Sequence, residues 1–239
     1  PRRGRRQNVT INFDVLTPTR DDGVVLNIQD KLALEVPKDL SDIADCYNEE
    51  WDEKDGQAHE LKNFIELTEN RKCLLDVGGN IGFMSLAFVI NNNDDAHKVS
   101  YCIEPSKVGI ATLGRILVHG RAFGWCILIL TLSVTYEKKD DPNFKIDTHD
   151  APPSYSQMYT VDDFFRYLIE KKKEIPDTIK IDVEGYDYRV LLGASNYLMI
   201  ARPLMFLEVH RDLLPLYNNV AQNVYDFLLD KSYDIYTIQ

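Results

Sequence analysis

Three carboxylates and a histidine, all able to take part in catalysis, follow two apolar runs in the second half of the chain. Asp182 and Glu184 stand at the end of a run that begins at Thr178, and Glu208 and His210 close the next run. Strand alternation places Glu208 and His210 on one face. An acid and a histidine at a strand end are candidates for general acid–base catalysis or metal binding. The alternative is that all four are solvated residues at strand ends.

A glycine-rich segment follows an earlier apolar run and reads D-V-G-G-N-I-G from Asp76 to Gly82. Asn80 stands where the dinucleotide pattern needs glycine, and no G-K-[ST] follows, so the pyrophosphate fingerprint and the P-loop are both excluded. Asp76 can accept from an amino group, and Glu104, at the end of the next run, can accept from both ribose hydroxyls. These residues suit a ligand that has an amino-acid tail and a nucleoside but no pyrophosphate. S-adenosylmethionine is such a ligand, and it is the cofactor that we predict. The alternative is a tight turn without a ligand.

From residue 72 onward, the sequence predicts alternating strands and helices. These elements must position the polar side chains named above. Apolar runs predict strands at 73–77, 98–103, 125–131, 178–183, 204–209 and 233–238, and helical spacing predicts helices at 83–90, 106–118, 160–172, 186–200 and 217–229. Such alternation favours an α/β fold with a doubly wound, mostly parallel sheet. Ligands of these sheets bind at the carboxyl ends of the strands, where the polar residues above are found.

The chain divides into three segments by composition. Residues 1–7 form a basic arm that we expect to be flexible, residues 8–70 an N-terminal extension packed on the domain, and residues 71–239 the main domain. In the extension, residues 9–16 and 24–36 alternate like strands, and residues 59–67 have helical spacing. The composition of residues 136–157 predicts a long exposed loop.

The net charge of the chain limits the classes of partner that it can bind. The chain of 239 residues carries 27 Lys and Arg against 38 Asp and Glu, which gives −11. Four arginines lie in the arm, so the rest carries −15. An acidic body repels nucleic-acid phosphates and acidic lipid surfaces, which argues against general binding to either.

Cysteine usage indicates a reducing compartment, and we expect an intracellular, cytoplasmic protein. The four cysteines, at positions 46, 73, 102 and 126, form no C-x-x-C pair and no zinc spacing. Cys73 and Cys102 lie in apolar runs and are expected in the core. No apolar run is long enough to span a bilayer. The chain begins at Pro1, so we expect a fragment or a processed form.

Together, these segments resemble the FkbM-type family of S-adenosylmethionine-dependent methyltransferases. The resemblance covers about residues 72–212, with the family motifs in order. K-I-D-V-E-G at 180–185, followed by V-L-L-G-A at 190–194, is more particular to this family than the glycine turn. The matching segments are 75–82, 104–106, 160–164, 179–185, 190–194 and 203–210.

The resemblance implies a Rossmann-like sheet of the class I methyltransferase type and methyl transfer, usually to an oxygen of a small molecule or sugar. Carried over by position, the glycine turn lines the methionine side of the cofactor and Glu104 holds the ribose. Ser133 follows the third strand, near the adenine, and Asp182 and Glu184 face the methyl group or the acceptor. The implied cofactor-binding residues are Asp76, Gly78, Gly79, Asn80, Gly82, Glu104, Ser133 and Asp182.

Three features depart from the family pattern. The run T-L-S-V at 131–134 lacks the acid that commonly follows the serine, and H-G-R at 119–121 stands where the family has an asparagine. The usual antiparallel seventh strand is not apparent, because the sixth predicted strand ends just before Gln239. Truncation, an N-terminal strand at that edge and a miscounted strand are the open explanations.

A hydroxyl acceptor must lose a proton as it takes the methyl group, so the reaction needs a base. We expect Asp182 or His210 to be that base, with Glu184 and Glu208 orienting the acceptor. An acid-rich edge could hold Mg²⁺, but the sequence shows no hard ligand set, and we predict no metal.

Two other functions stay open on the sequence. A scaffold module would keep the fold without the reaction, against which the intact glycine turn and Glu104 argue. An RNA-modifying enzyme would use the basic arm on phosphates, against which the acidic body argues.

Overall fold

A computed structural model of the chain describes residues 23–28, 32–37, 57–91, 98–106, 109, 111–115, 126–130, 133–134 and 158–238. The strands are β1 Gly23–Ile28, β2 Leu32–Pro37, β3 Cys73–Val77, β4 Val99–Ile103, β5 Cys126–Leu130, β6 Ser133–Val134, β7 Met158–Tyr159, β8 Thr178–Ile181 and β9 Leu204–Leu207. The helices are α1 Gln57–Leu67, α2 Phe83–Ile90, α3 Val161–Glu170, α4 Asp187–Gly193, α5 Ser195–Ala201 and α6 Ala221–Asp230, with a 3₁₀ turn at Leu214–Tyr217. Residues 111–115, within the predicted helix 106–118, are also helical. The predicted basic arm, strand 9–16 and loop 136–157 lie outside the described residues.

Five strands form the central sheet in the order β5-β4-β3-β8-β9, with every neighbouring pair parallel. The first strand of this sheet, β3, lies in its middle. The strands β4 and β5 follow on one side, and the chain then crosses back to add β8 and β9 on the other side. This reversal brings the carboxyl ends of β3, β4 and β8 together at one switch point, where doubly wound sheets bind their ligands. Two smaller units complete the described strands: the antiparallel β1–β2 hairpin and the two-residue pair β6–β7.

Helices cover both faces of the sheet, which confirms the doubly wound prediction. One face is apolar and packs on α3, α4, α5 and α6 through a cluster that includes Leu75, Ile179 and Tyr197. The other face packs on α1 and α2: the ring of Phe64 lies 6.5 Å from that of Phe88 and meets that of Phe206 edge-on at 5.3 Å.

Cys73 and Cys102 are buried and free, as expected of small core residues. Burial raises the pKa of both thiols above the usual range, so neither is a reactive thiolate. No helix in the described ranges is long and apolar enough to cross a bilayer.

The predicted helix at 186–200 is two helices, α4 and α5, which meet at Ala194. The carboxylate of Asp162, on α3, accepts from the backbone N–H of Asn196 at 3.0 Å and of Tyr197 at 2.8 Å. These N–H groups need a partner at the start of a helix, and Asp162 supplies it from another element. A long-range contact that the sequence does not reveal thus starts a new helix.

The predicted strand at 233–238 is wrong, because these residues have no regular structure and pair with no strand. The start of the segment is held at Tyr233, whose ring centre lies 4.2 Å from the guanidinium of Arg202 and whose hydroxyl donates to the carbonyl of Leu198 at 3.3 Å. Tyr236 is 86% exposed. The alternating pattern here does not correspond to burial on a sheet face.

The start of α3 carries a predicted cap that the structure confirms. The hydroxyl of Thr160 accepts from the N–H of Asp163 at 3.0 Å, and the carboxylate of Asp163 accepts from the N–H and hydroxyl of Thr160. Burial alone would raise the pKa of Asp163, but these hydrogen bonds and Arg166 outweigh it and lower the pKa below 3.8. The cap is therefore strongest while Asp163 is ionised.

Thr160→Ala is expected to lower the free energy of unfolding by about 1 kcal/mol at pH 7, because the cap is lost. Since the folded pKa of Asp163 lies below its unfolded value, this stabilisation is present above about pH 4 and is lost as the pH falls through the folded pKa. Urea unfolding at pH 7 and pH 3 measures both effects. Thr160→Ser keeps the hydroxyl and should match the wild type; an equal loss in both variants would contradict the cap.

Candidate active site

The glycine turn leaves β3 and folds back against the end of β8. Gly78 has φ +81°, and a Cβ there would collide with the carbonyl oxygen of Asp182. The N–H groups of Gly78 and Gly79 both point to the carbonyl of Ile103, at 3.0 and 3.2 Å. The turn is therefore tied to β4 on one side and pressed against Asp182 on the other, so that the two predicted motifs touch.

Glu104 lies at the end of β4 beside this turn, as the sequence predicts. Its carboxylate accepts from the N–H of Asn80 at 2.8 Å and from the N–H of Ser106 at 2.6 Å. Burial raises its pKa, although these two hydrogen bonds act in the opposite direction. Asn80 itself is exposed and has φ +47°, a conformation that asparagine tolerates better than most residues. A fixed carboxylate beside an open backbone turn fits the ribose and tail of the predicted cofactor.

Asp76 is fully buried beneath the turn rather than at its surface. Its Oδ2 accepts from the hydroxyl of Ser85 at 2.6 Å, and Ser100 donates to Ser85 at 2.9 Å. Burial raises the pKa of Asp76, while Lys180 lowers it. The structure thus places Asp76 as a support for the turn; contact with the amino group of a cofactor stays a prediction.

The four predicted catalytic residues, Asp182, Glu184, Glu208 and His210, meet around the imidazole of His210. Together with Asp187 they form a group that we call the His210 cluster. The Nε2 atom of His210 lies 3.6 Å from Asp182 Oδ1, 3.8 Å from Glu184 Oε2 and 3.5 Å from Glu208 Oε1. The imidazole is 16% exposed, whereas Glu184 is 78% exposed. The sequence predicts that the four catalytic candidates lie at one edge of the sheet, and the structure places their side chains in one cluster.

Asp187 is a member of the cluster that sequence analysis missed. It is fully buried at the start of α4, and its Oδ2 lies 3.7 Å from Nδ1 of His210. Neither atom has a hydrogen-bond partner among the described residues. Burial raises the pKa of Asp187, and His210 lowers it. In the sequence, Asp187 is marked only by its position just after the K-I-D-V-E-G segment. An acid at that position is ordinary, because acids are common in the first turn of a helix.

Lys180 is the second residue that the sequence did not single out. Its side chain is 6% exposed, and Nζ donates to Asp182 Oδ2 at 2.7 Å. Burial would lower its pKa, but Asp76 and Asp182 outweigh burial and raise it. Lys180 is therefore a cation between the buried support of the turn and the His210 cluster.

Three atoms of the cluster have the spacing of a possible cation site. One ligand atom from each of Asp182, Glu208 and His210 lies within 4.8 Å of the other two, in the part of the chain that the structure describes. The Oδ2 atom of Asp182 accepts from the ammonium of Lys180. The arrangement by itself assigns no metal, so the expectation of none stays a prediction.

Ser133 lies in β6, which pairs with β7 through Ser133 and Met158. The surroundings of its side chain fall outside the described residues, as do residues 119–121. The predicted adenine contact of Ser133 therefore stays a prediction.

Comparison with known proteins gives one match by sequence. The model of the methyltransferase FkbM domain matches residues 76–235, more than half of the chain. No curated protein matches the chain.

Solved structures similar to the chain include three methyltransferases. One is a methyltransferase FkbM from Methylobacillus flagellatus KT, with 18% identity, a TM-score of 0.43, and coverage of 80% of this chain and 53% of that chain. An O-methyltransferase from Bacillus cereus in complex with SAH has 9% identity, a TM-score of 0.47, and coverage of 80% and 76%. An SAH-bound methyltransferase from Podospora anserina has 13% identity, a TM-score of 0.46, and coverage of 80% and 80%. The chain spans about half the length of the Methylobacillus protein.

Proposed function

The chain belongs to the FkbM methyltransferase family, and we propose that it transfers the methyl group of S-adenosylmethionine to a hydroxyl of a small molecule or sugar. The observation that carries this proposal is the His210 cluster. A histidine with acidic neighbours lies at the same strand edge as the glycine turn, and Gly78 of that turn touches Asp182. A methyl donor in the turn and a base at the edge would therefore be neighbours.

The need for a base favours oxygen as the acceptor atom. A hydroxyl must lose a proton as the new bond forms, whereas a neutral amine can attack with its lone pair. The imidazole of His210 is 16% exposed, and its Nε2 lies beside the carboxylates of Asp182 and Glu208. Proton transfer to a positioned imidazole is a common contribution to catalysis.

The residues divide the reaction among them. When bound, S-adenosylmethionine supplies a methyl group on a positively charged sulfur. His210 accepts the proton of the hydroxyl, Asp187 holds the imidazole from its Nδ1 side, and Glu208 orients the acceptor beside Nε2. The bond from oxygen to the methyl carbon forms as the bond from carbon to sulfur breaks. Alignment of this kind is the main contribution of a protein to an in-line displacement.

We propose the cofactor-binding residues from their positions at the ends of the strands. Glu104 would accept from the ribose hydroxyls, the backbone from Gly78 to Gly82 would face the methionine portion, and Asp182 would lie near the methyl group. Glu104 supports this assignment best, because its carboxylate is fixed by two backbone N–H groups at the end of β4. Preorganised groups lose little entropy on binding.

Glu104→Gln is expected to weaken binding of S-adenosylmethionine about tenfold to a hundredfold, because hydrogen bonds to a charged acceptor are lost. Calorimetric titration of the chain with S-adenosylmethionine and S-adenosylhomocysteine measures the change. Glu174→Gln, at an exposed position away from the turn, is the control. Unchanged affinity in Glu104→Gln would remove Glu104 from the site, and failure of the wild type to bind either compound would contradict the proposed function.

A further inference from the structure

Helix α1 lies outside the residues matched by the family model and yet packs on the sheet beside the His210 cluster. Phe64 of α1 meets Phe206 of β9 edge-on at 5.3 Å between ring centres. Phe206 is the direct neighbour of Lys180 in the β8–β9 register. Helix α1 therefore crosses the same sheet face from which Lys180 reaches Asp182.

The direction of α1 places its first turn at the carboxyl edge of the sheet. Near its other end, the carbonyl of Thr68 accepts from Nζ of Lys98 at 3.1 Å, and Lys98 immediately precedes β4 at the amino edge. Glu60 is one turn before Phe64, and residues four apart share a helix face. Glu60 therefore lies on the sheet-facing side of α1 at the edge that carries the cluster.

Four charged groups face Glu60, all from the ends of β8 and β9. Burial raises the pKa of Glu60 to about 7; Glu208 and Asp182 act in the same direction, and Lys180 and His210 act against it. Two acids and two bases thus act on Glu60, and burial is the largest cause of the raised pKa. Its carboxyl therefore ionises near neutral pH. An added positive charge at this edge would favour the ionised form of Glu60.

The two forms of the proposed cofactor differ by one such charge. The donor carries a positive sulfur, and the product left after transfer has a neutral one. In the proposed function the methyl group would lie beside an acceptor oxygen that also reaches His210, so the positive charge would lie near the cluster. At such separations, with the effective dielectric of a protein surface, a carboxylate stabilises a cation measurably.

We infer that Glu60 is a specificity-determining residue that makes the site bind the positively charged methyl donor in preference to its neutral product. This inference rests on the proposed function. It assigns a role in the reaction to α1, a helix outside residues 76–235. The same preference would help to clear the product after each turnover.

The test compares the affinities for S-adenosylmethionine and S-adenosylhomocysteine, measured by calorimetry with the full chain at pH 6 and pH 8. Glu60→Gln keeps the shape and removes the charge, and Glu66→Gln changes an exposed acid of the same helix. At pH 8, Glu60→Gln should lower the ratio of the two affinities about threefold to tenfold. At pH 6, where Glu60 is mostly protonated, it should change the ratio little.

Comparison with the wild type at each pH cancels the titration of the ligand's own amino group. The wild-type ratio should rise from pH 6 to pH 8 more steeply than that of Glu60→Gln. An unchanged ratio in Glu60→Gln at pH 8, or an equal fall in Glu66→Gln, would overturn the inference while leaving the proposed function in place. A wild type that binds neither compound would overturn the proposed function, and the inference with it.

Discussion

His210→Asn is expected to lower kcat by about a hundredfold to ten-thousandfold, the usual contribution of a positioned general base. Binding of S-adenosylmethionine should be nearly unchanged, because the proposed cofactor contacts come from the turn and Glu104. Asparagine fills part of the imidazole volume without a nitrogen that can take the proton. Formation of S-adenosylhomocysteine in a single turnover, with an acceptor found by screening hydroxylated compounds, measures the loss.

Two further variants show whether His210 acts as proposed. Asp187→Asn should lower kcat by about tenfold or more and change its pH profile, since the amide no longer favours the Nδ1-protonated imidazole. Asp212→Asn, at an exposed position two residues after His210, should behave as the wild type. If His210→Asn kept its activity and Asp182→Asn lost it, the base would be Asp182.

Gly78→Ala is expected to have the largest effect on stability, a loss of about 2–4 kcal/mol in the free energy of unfolding. Its φ of +81° is costly for a residue with a side chain, by about 1–2 kcal/mol. The new methyl group would also collide with the carbonyl of Asp182, so the turn or β8 must move. Because both lie in the proposed site, binding of S-adenosylmethionine should be lost as well.

Gly114→Ala is the matched control, because Gly114 is helical and a Cβ there meets nothing within 4 Å. Alanine favours a helix over glycine by about 1 kcal/mol, so this variant should be as stable as the wild type or more so. Urea unfolding of both variants gives the comparison. Equal stability of Gly78→Ala and the wild type would show that the turn is not confined as described.

The central strands could be predicted because parallel strands buried on both faces are short, nearly continuous apolar runs. Residues 73–77 were predicted with the bounds that the structure has, and the capping signal at Thr160 marked the start of α3. Such signals are local: the information lies within a few residues of the feature. The same locality explains the two errors, at Ala194 and at residues 233–238.

The candidate site was predicted in part for a similar reason. Chain order and strand direction bring Asp182, Glu184, Glu208 and His210 to one edge, since strands of a parallel sheet end on the same side. Asp187, Lys180 and Glu60 carried no comparable signal. An acid in the first turn of a helix, a lysine within a strand and an acid on an amphipathic helix are all ordinary in a sequence.

The sequence by itself determined the family, the order of the strands along the chain and the edge at which the polar residues lie, because each follows from a local motif or from period-two and helical patterns. Only the tertiary structure decided which charges face one another. It set Asp187 against His210 Nδ1, placed Lys180 on Asp182, buried Asp76 under the turn, and directed Glu60 to the cluster. The physical reason is that electrostatic and hydrogen-bond energies depend on separations of a few ångströms between residues far apart in the chain, and packing alone sets those separations.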